Sequence, residues 1–365
     1  MNKTAPINDM GVSRPILRTA SGFLLLLLCG VAIASASSVR GFPFLPLVVS
    51  TVPANGDQNP YGVAFVPFGF PGPNLRPGDI LVSNFNDGGN RQGFGTTIIR
   101  VSPDGQTSVF ANTGSVTGLT AALGIIRQGF VFVGSVATAD GTDSHVTGGP
   151  LLVLDSNGNV VLSIASPLDG PWGLAINSRD DDHAQVFVSS VLNGTVTRFD
   201  FSFPGDMIHL DGSTQIASGY SHTLDPLAIV IGPAGMAYDR KKDILYVAGE
   251  DDDKIFAIQD ASTTTDHGTG DVVFSDTTHL HGPLGLAIAP NGNLITANND
   301  SINSDPNQPS EIVEFTVTGN FVRQFSIDPN IDGPFAIAIG KFDDANEFAY
   351  LNDNRNTLSV LRLAD

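Results

Sequence analysis

The sequence predicts an all-β protein, a six-bladed β-propeller with four-stranded antiparallel blades that is closed by an N-terminal strand completing the last blade. Three observations predict it. A short phrase recurs six times, the hydrophobic period inside each repeat is two, and the last repeat stops one strand short while an unclaimed strand precedes the first.

The phrase reads NPYGVAF from Asn59, DGPWGLAI from Asp169, IGPAGMAY from Ile231, HGPLGLAI from His281 and DGPFAIAI from Asp332. A weaker copy, TAALGII, starts at Thr120. Its anchors Pro60, Thr120, Pro171, Pro233, Pro283 and Pro334 are spaced by 60, 51, 62, 50 and 51 residues. Repeats therefore begin near 59, 119, 169, 231, 281 and 332. Self-similarity at a fixed period is the signature of a repeat architecture. Six such units fill residues 37–365 and leave no room for a second domain.

Within each unit, short segments alternate apolar and polar residues and are bounded by Gly, Pro, Asn or Asp, which reads as strands in hairpins. The fifth unit is the plainest, with strands at 286–289, 294–297, 311–316 and 321–326. Pro290-Asn291-Gly292-Asn293 between the first two predicts a hairpin turn, because Asn291 and Gly292 both tolerate positive φ. Pro103-Asp104-Gly105 and Ser156-Asn157-Gly158 predict comparable turns. Asp155 opens a stretch similar to a calcium loop, but the twelfth position is Ser166, so a hairpin turn is expected there. The sixth unit supplies strands only at 336–339, 348–351 and 358–363. Residues 47–52 have the right alternation to complete it and to leave no unpaired edge. The longest insertions lie at 66–79 and 202–232, and the second is expected to act as a lid.

Composition agrees. Gly 40 and Pro 23 suit a turn-rich fold, and 15% charged residues is too few for charge-laced helices. The net charge of −19 repels phosphate backbones and anionic membranes, which argues against nucleic-acid partners. Lys3, Arg14 and Arg18 precede an apolar run at 23–33 followed by Ala34-Ser35-Ala36, the pattern of an export signal cleaved near Ala36. The run is too short to span a bilayer, so stable membrane insertion is not expected. Removing residues 1–36 takes away three positive charges and one negative charge and leaves −21, together with the loss of Cys29, the single cysteine. The mature chain, expected to be secreted or periplasmic and monomeric, has neither disulfide nor thiolate chemistry.

The phrase Pro-x-Gly-Leu-Ala, followed by a Gly-x-Leu strand, an Asn/Asp-rich turn and a strand such as Lys254-Ile255-Phe256-Ala257, resembles the NHL repeat. It is similar more widely to the six-bladed propellers that include gluconolactonases, paraoxonases and streptogramin lyases. The resemblance covers the whole mature chain and implies a fold, but no single activity. Gluconolactonase-like relatives hold an axial divalent cation with Asn and Asp. Here the residues directly after the Pro of the phrase are Tyr61, Trp172, Ala234, Leu284 and Phe335, with Ala121 or Leu123 in the irregular copy. Apolar side chains offer a hard cation no oxygen, so an axial calcium site of that type is not expected.

Two functions fit. The first is a binding or interaction module for a small molecule, glycan or protein. Its site would use the channel mouth (Tyr61, Trp172, Phe335) and a rim including Asn84, Asn298 and Asn352. The aromatic residues either plug a narrow channel or floor a ligand site. The Asn and Asp residues of the rim, among them 250–253, 298–300 and 352–354, either bind or simply cap turns. The second function is a lyase or hydrolase acting through His222, Glu250 and His281, whose loops belong to adjacent blades on one rim. His279 is expected to face away. The pattern leaves room for a divalent cation among these groups without specifying one.

Overall fold

The computed structural model describes residues 46–205, 207–299 and 303–363; the predicted export signal lies outside them. Six four-stranded antiparallel sheets and one two-stranded hairpin account for the strands among the described residues, with a single 3₁₀ turn at Asp143–His145. The first strands, Gln58–Phe65, Leu119–Ile126, Pro171–Ser178, Pro233–Asp239, Pro283–Ile288 and Pro334–Phe342, each pack on the next, and the last packs on the first. That closed ring is the hub of a six-bladed propeller.

Closure takes the predicted form. Leu47–Ser50 pairs antiparallel with Thr357–Arg362, so the sixth sheet joins both ends of the described chain. Thr51 donates its backbone N–H and its hydroxyl to the Asn356 carbonyl, both at 3.0 Å, extending the junction beyond the strand.

Each pair of neighbouring blades buries one apolar cluster. Leu81, Ile98, Val131 and Leu152 join blades one and two, while Val82, Ile99, Leu351 and Leu358 join blades six and one. The period of two gives each strand a face toward either neighbour, so one sheet serves two clusters. Inside the ring, Val63, Leu123, Leu174, Met236, Leu286 and Ile337 line the axis.

The glycines of the phrase are required by this ring. A Cβ on Gly173 would lie 1.9 Å from the Ala234 carbonyl oxygen, and one on Gly235 would lie 2.3 Å from that of Leu284. Neighbouring first strands thus approach closely enough to exclude a side chain.

Two local details go beyond the sequence reading. At Asn291-Gly292 only Gly292 has positive φ, +85°, and its N–H bonds to the Ala289 carbonyl at 2.9 Å. The hairpin forms as expected, with glycine in the left-handed position and five residues, Ala289 to Asn293, between the strands. In the weak second copy the bulge is one residue longer than in its neighbours: Leu119 pairs with Ser135, and pairing resumes only at Leu123 with Val133. Ala121 consequently joins the aromatic plug, and Leu123 joins the cluster between blades one and two. The stretch from Asp155 is a hairpin turn, as expected, with its Oδ1 accepting the N–H groups of Asn157 and Asn159.

Candidate functional site

Strand register builds the mouth of the channel. In blades two to six the residue opening the first strand faces the end of the second, Leu119 with Ser135, Pro171 with Ser190, Pro233 with Gly249, Pro283 with Asn298 and Pro334 with Asn352, and in blade one the matching Pro60 faces Asn84. The next residue along, one per blade, is Phe85, Val136, Val191, Glu250, Asn299 and Asp353. From blade two onward its N–H bonds to the carbonyl of an incoming glycine, at 2.7–3.0 Å, which fixes its place. One half of the mouth is therefore apolar and the other polar.

Phe85, Val136 and Val191 are fully buried with the residues of the phrase. Tyr61 stacks on Phe335 with centroids 4.2 Å apart and meets Trp172 edge-on at 5.4 Å. Tyr61, Trp172 and Phe335 are only 3%, 1% and 4% exposed, so they fill the channel as a plug. The insertion ahead of blade four packs over the apolar half of the mouth. Its hairpin, Thr223–Asp225 with Ile229–Ile231, buries Ile229 and Val230 against this plug. Leu227 at the hairpin tip accepts a hydrogen bond from Gln92 Nε2 at 3.1 Å. Ile229 has φ +67°, a conformation that strains a β-branched residue.

The polar half is different. Glu250 is 2% exposed and its Oε2 has no hydrogen-bond partner. Burial pushes its carboxyl well above the usual range, although the Gly232 N–H favours ionisation, and Asp251, Asp332 and Asp225 add to the rise. Burial, with Asp332 nearby, raises Asp353 to about 7. The Tyr61 phenol is pushed up by burial and by Asp353, Glu250 and Asp332, which places these acids around the top of the plug. Among the described residues no Lys, Arg or His forms an ion pair with Glu250 or Asp353.

Beside this half, His281 Nδ1 lies 3.2 Å from Glu311 Oε1, both residues being buried. His281, Asp305 and Glu311 each offer a ligand atom, all within 4.8 Å of one another. Asp253 Oδ1 accepts the Gly282 N–H at 2.8 Å. A Cβ on Gly282 would come 3.7 Å from Glu250 Cγ, so Glu250 and the His281 loop are neighbours. His222 is not brought into this group: it is exposed, and its Nδ1 lies 3.0 Å from the Tyr220 carbonyl. His279 does turn elsewhere, stacking on Phe321 at 3.8 Å and pairing with Asp276.

The three asparagines hold the incoming loops. Asn84 Nδ2 donates to the Thr51 carbonyl and Thr97 Oγ1, Asn298 Nδ2 to the His279 carbonyl, and Asn352 Nδ2 to Asp328. Their successors, one residue on and on the opposite face, are the ones at the axis. Asp353 and Asn299 could have been found by applying the strand period to the end of the second strand; Glu311 carried no sequence signal, because it opens a third strand.

No protein-family profile matches the chain, and no curated protein matches it. Solved structures do. A gluconolactonase from Xanthomonas campestris superposes with TM-score 0.54 at 12% identity, covering 90% of this chain and 93% of that one. What the two share is the propeller fold. A catalytically inactive virginiamycin B lyase from Staphylococcus aureus, solved with quinupristin, gives 0.52 at 12% identity over 88% of this chain and all of the other. The calcium-binding protein regucalcin from Agrobacterium tumefaciens gives 0.52 at 12% identity over 83% and 90%. At such identities the likeness concerns the fold.

Proposed function

We propose that the protein is an exported, NHL-type ligand-binding propeller whose site is the polar half of the mouth, and that this site takes a cation. One observation carries the reading: Glu250 is buried and Asp353 half-buried at the hub, both carboxyls are raised, and neither has an ion pair among the described residues. Burying an unpaired charge is expensive, and a cation placed among these oxygens offsets the cost. Glu250, Asn299 and Asp353 supply oxygen donors of the kind hard divalent cations prefer. Export rests on the sequence alone, on Lys3, Arg14 and Arg18, the apolar run and Ala34-Ser35-Ala36.

The test is a thermal-shift titration at pH 8 with calcium, magnesium and manganese ions and with a small alkylammonium. At least one is expected to raise the melting temperature of the parent protein and to lose that effect in Glu250→Gln. No shift with any of them sinks the proposal.

A second reading has one observation in its favour. The buried His281–Glu311 contact is the arrangement in which a carboxylate orients an imidazole for general-base work. Under that reading the protein is a lyase or hydrolase, and His281→Ala is expected to lower turnover on a lactone or streptogramin panel at least a hundredfold. Absence of turnover by the parent on the whole panel removes its support.

A further inference from the structure

Blade five carries a second group of donors beside the hub, and one long loop assembles it. Its second and third strands, Leu294–Asn298 and Glu311–Phe315, are joined by residues 299–310, whereas the same connection takes only residues 250–253 in blade four and 353–356 in blade six. The extra length lets Asp305 return to the entrance of its own blade, where His281 precedes the first strand and Glu311 opens the third. Each of the three offers a ligand atom, all within 4.8 Å of one another. His281 is 8% exposed and Glu311 0%, while Asp305 is half-buried, so the group sits in a recess with Asp305 on its solvent side.

Neighbouring groups hold this arrangement in place. Asp253 accepts the Gly282 N–H on Oδ1 at 2.8 Å and the Asn303 amide on Oδ2, so it ties the His281 loop to the long loop just ahead of Asp305. Asp305 Oδ1 accepts the Asn307 N–H at 2.8 Å, which sets the direction of its carboxylate. Ser310 accepts the Gly333 N–H at 2.8 Å and donates to the Asn330 carbonyl, which fixes the backbone next to Glu311. Supports of this kind orient metal ligands without touching the metal.

We propose that His281, Asp305 and Glu311 bind a first-row transition-metal dication of the zinc type, with water completing the coordination shell. His281 Nδ1 and Glu311 Oε1 stand 3.2 Å apart, at the long end of the range for an N–H···O bond. Two ligands each about 2.0–2.1 Å from one zinc, at a tetrahedral angle, stand roughly 3.3 Å apart, so a metal fits this pair with almost no movement. A turn of the Asp305 side chain, the donor nearest solvent, brings the third ligand to the same spacing. The imidazole decides the class of ion. Calcium and magnesium prefer shells made of oxygen alone, whereas zinc and its neighbours take nitrogen beside carboxylates. Two carboxylate ligands match a dication in charge, and three protein ligands with water form the open kind of zinc site. With Nδ1 on the metal, the neutral ring keeps its proton on Nε2, and His281 is then a ligand rather than a general base. The site shares no donor with Glu250, Asn299 and Asp353 and does not rest on a cation binding there.

The purified protein, stripped of metal by a chelator, is dialysed against zinc in a buffer containing excess calcium, which occupies sites made of oxygen alone. Bound zinc is counted per chain, and cobalt is then offered in its place for its visible absorption. The parent is expected to retain one zinc per chain and to give a cobalt spectrum with a nitrogen ligand. Asp305→Ala, on the half-buried loop, and His281→Ala are each expected to weaken zinc at least about tenfold while the melting curve reports a folded protein. His222→Ala is expected to stay within twofold of the parent. No zinc retained by the parent, or equal zinc affinity in folded Asp305→Ala, overturns the proposal. Zinc lost in Glu250→Gln but kept in Asp305→Ala places the metal at the hub and overturns it as well. Zinc lost in Asp305→Ala, with no ion stabilising the protein through Glu250, upholds this site and removes the hub reading alone.

Discussion

At pH 8, Asp353→Asn is expected to be more stable than the parent by up to about 4 kcal/mol, whereas at pH 3.5 the two are expected to unfold alike. The sign follows from the direction of the shift. Asp353 is raised from 3.8 to about 7, first by burial and then by Asp332. A carboxyl raised in the folded state binds its proton more tightly there than in the unfolded chain. Its contribution is complete below about 4 and is lost as pH rises through about 7, where the parent must hold a charge that the asparagine lacks. About three units at ~1.4 kcal/mol each set the ceiling. Urea unfolding of both proteins across pH 3.5–8 measures the difference, and a difference that stays flat with pH contradicts the burial of this charge. Glu250 is raised in the same direction, so Glu250→Gln should show the same trend.

Gly173→Ala is expected to cost about 3 kcal/mol or more, because the added methyl meets backbone that cannot withdraw without opening the ring. The obstructing atom is the Ala234 carbonyl oxygen, 1.9 Å from the new Cβ. Gly212, on the outer strand of the third blade, has nothing within 4 Å of a built Cβ. Gly212→Ala should therefore stay within about 0.5 kcal/mol of the parent. Equal tolerance at the two positions, seen by thermal melting, contradicts the close packing of first strands.

The ring was legible because its cause repeats. The Pro-x-Gly phrase marks where each first strand begins, and its glycine is conserved in kind along the chain at Gly62, Gly173, Gly235 and Gly285 for one steric reason. The closing strand could be located by subtraction, since 47–52 alternated correctly and had no blade. The site was only half legible. Glu250 and His281 come from loops that the repeat alignment already put on one rim. His222 was grouped with them by loop rather than by direction, and its imidazole turns to the Tyr220 carbonyl instead. Asn84, Asn298 and Asn352 were one residue out of phase, a distinction that depends on pleat and pairing. The split of the mouth into Phe85, Val136 and Val191 against Glu250, Asn299 and Asp353 appears only once that register is known.

The most direct measurement is a carbon-13 NMR titration of side-chain carboxyls in the metal-free protein, with Asp353 assigned by its absence in Asp353→Asn. One resonance is expected to titrate near 7 and to move down by at least a unit in the presence of the cation that stabilises the protein, since a nearby positive charge favours the ionised form. An Asp353 carboxyl that titrates near 4 without any cation, or that ignores every cation offered, contradicts an uncompensated acidic half at the hub.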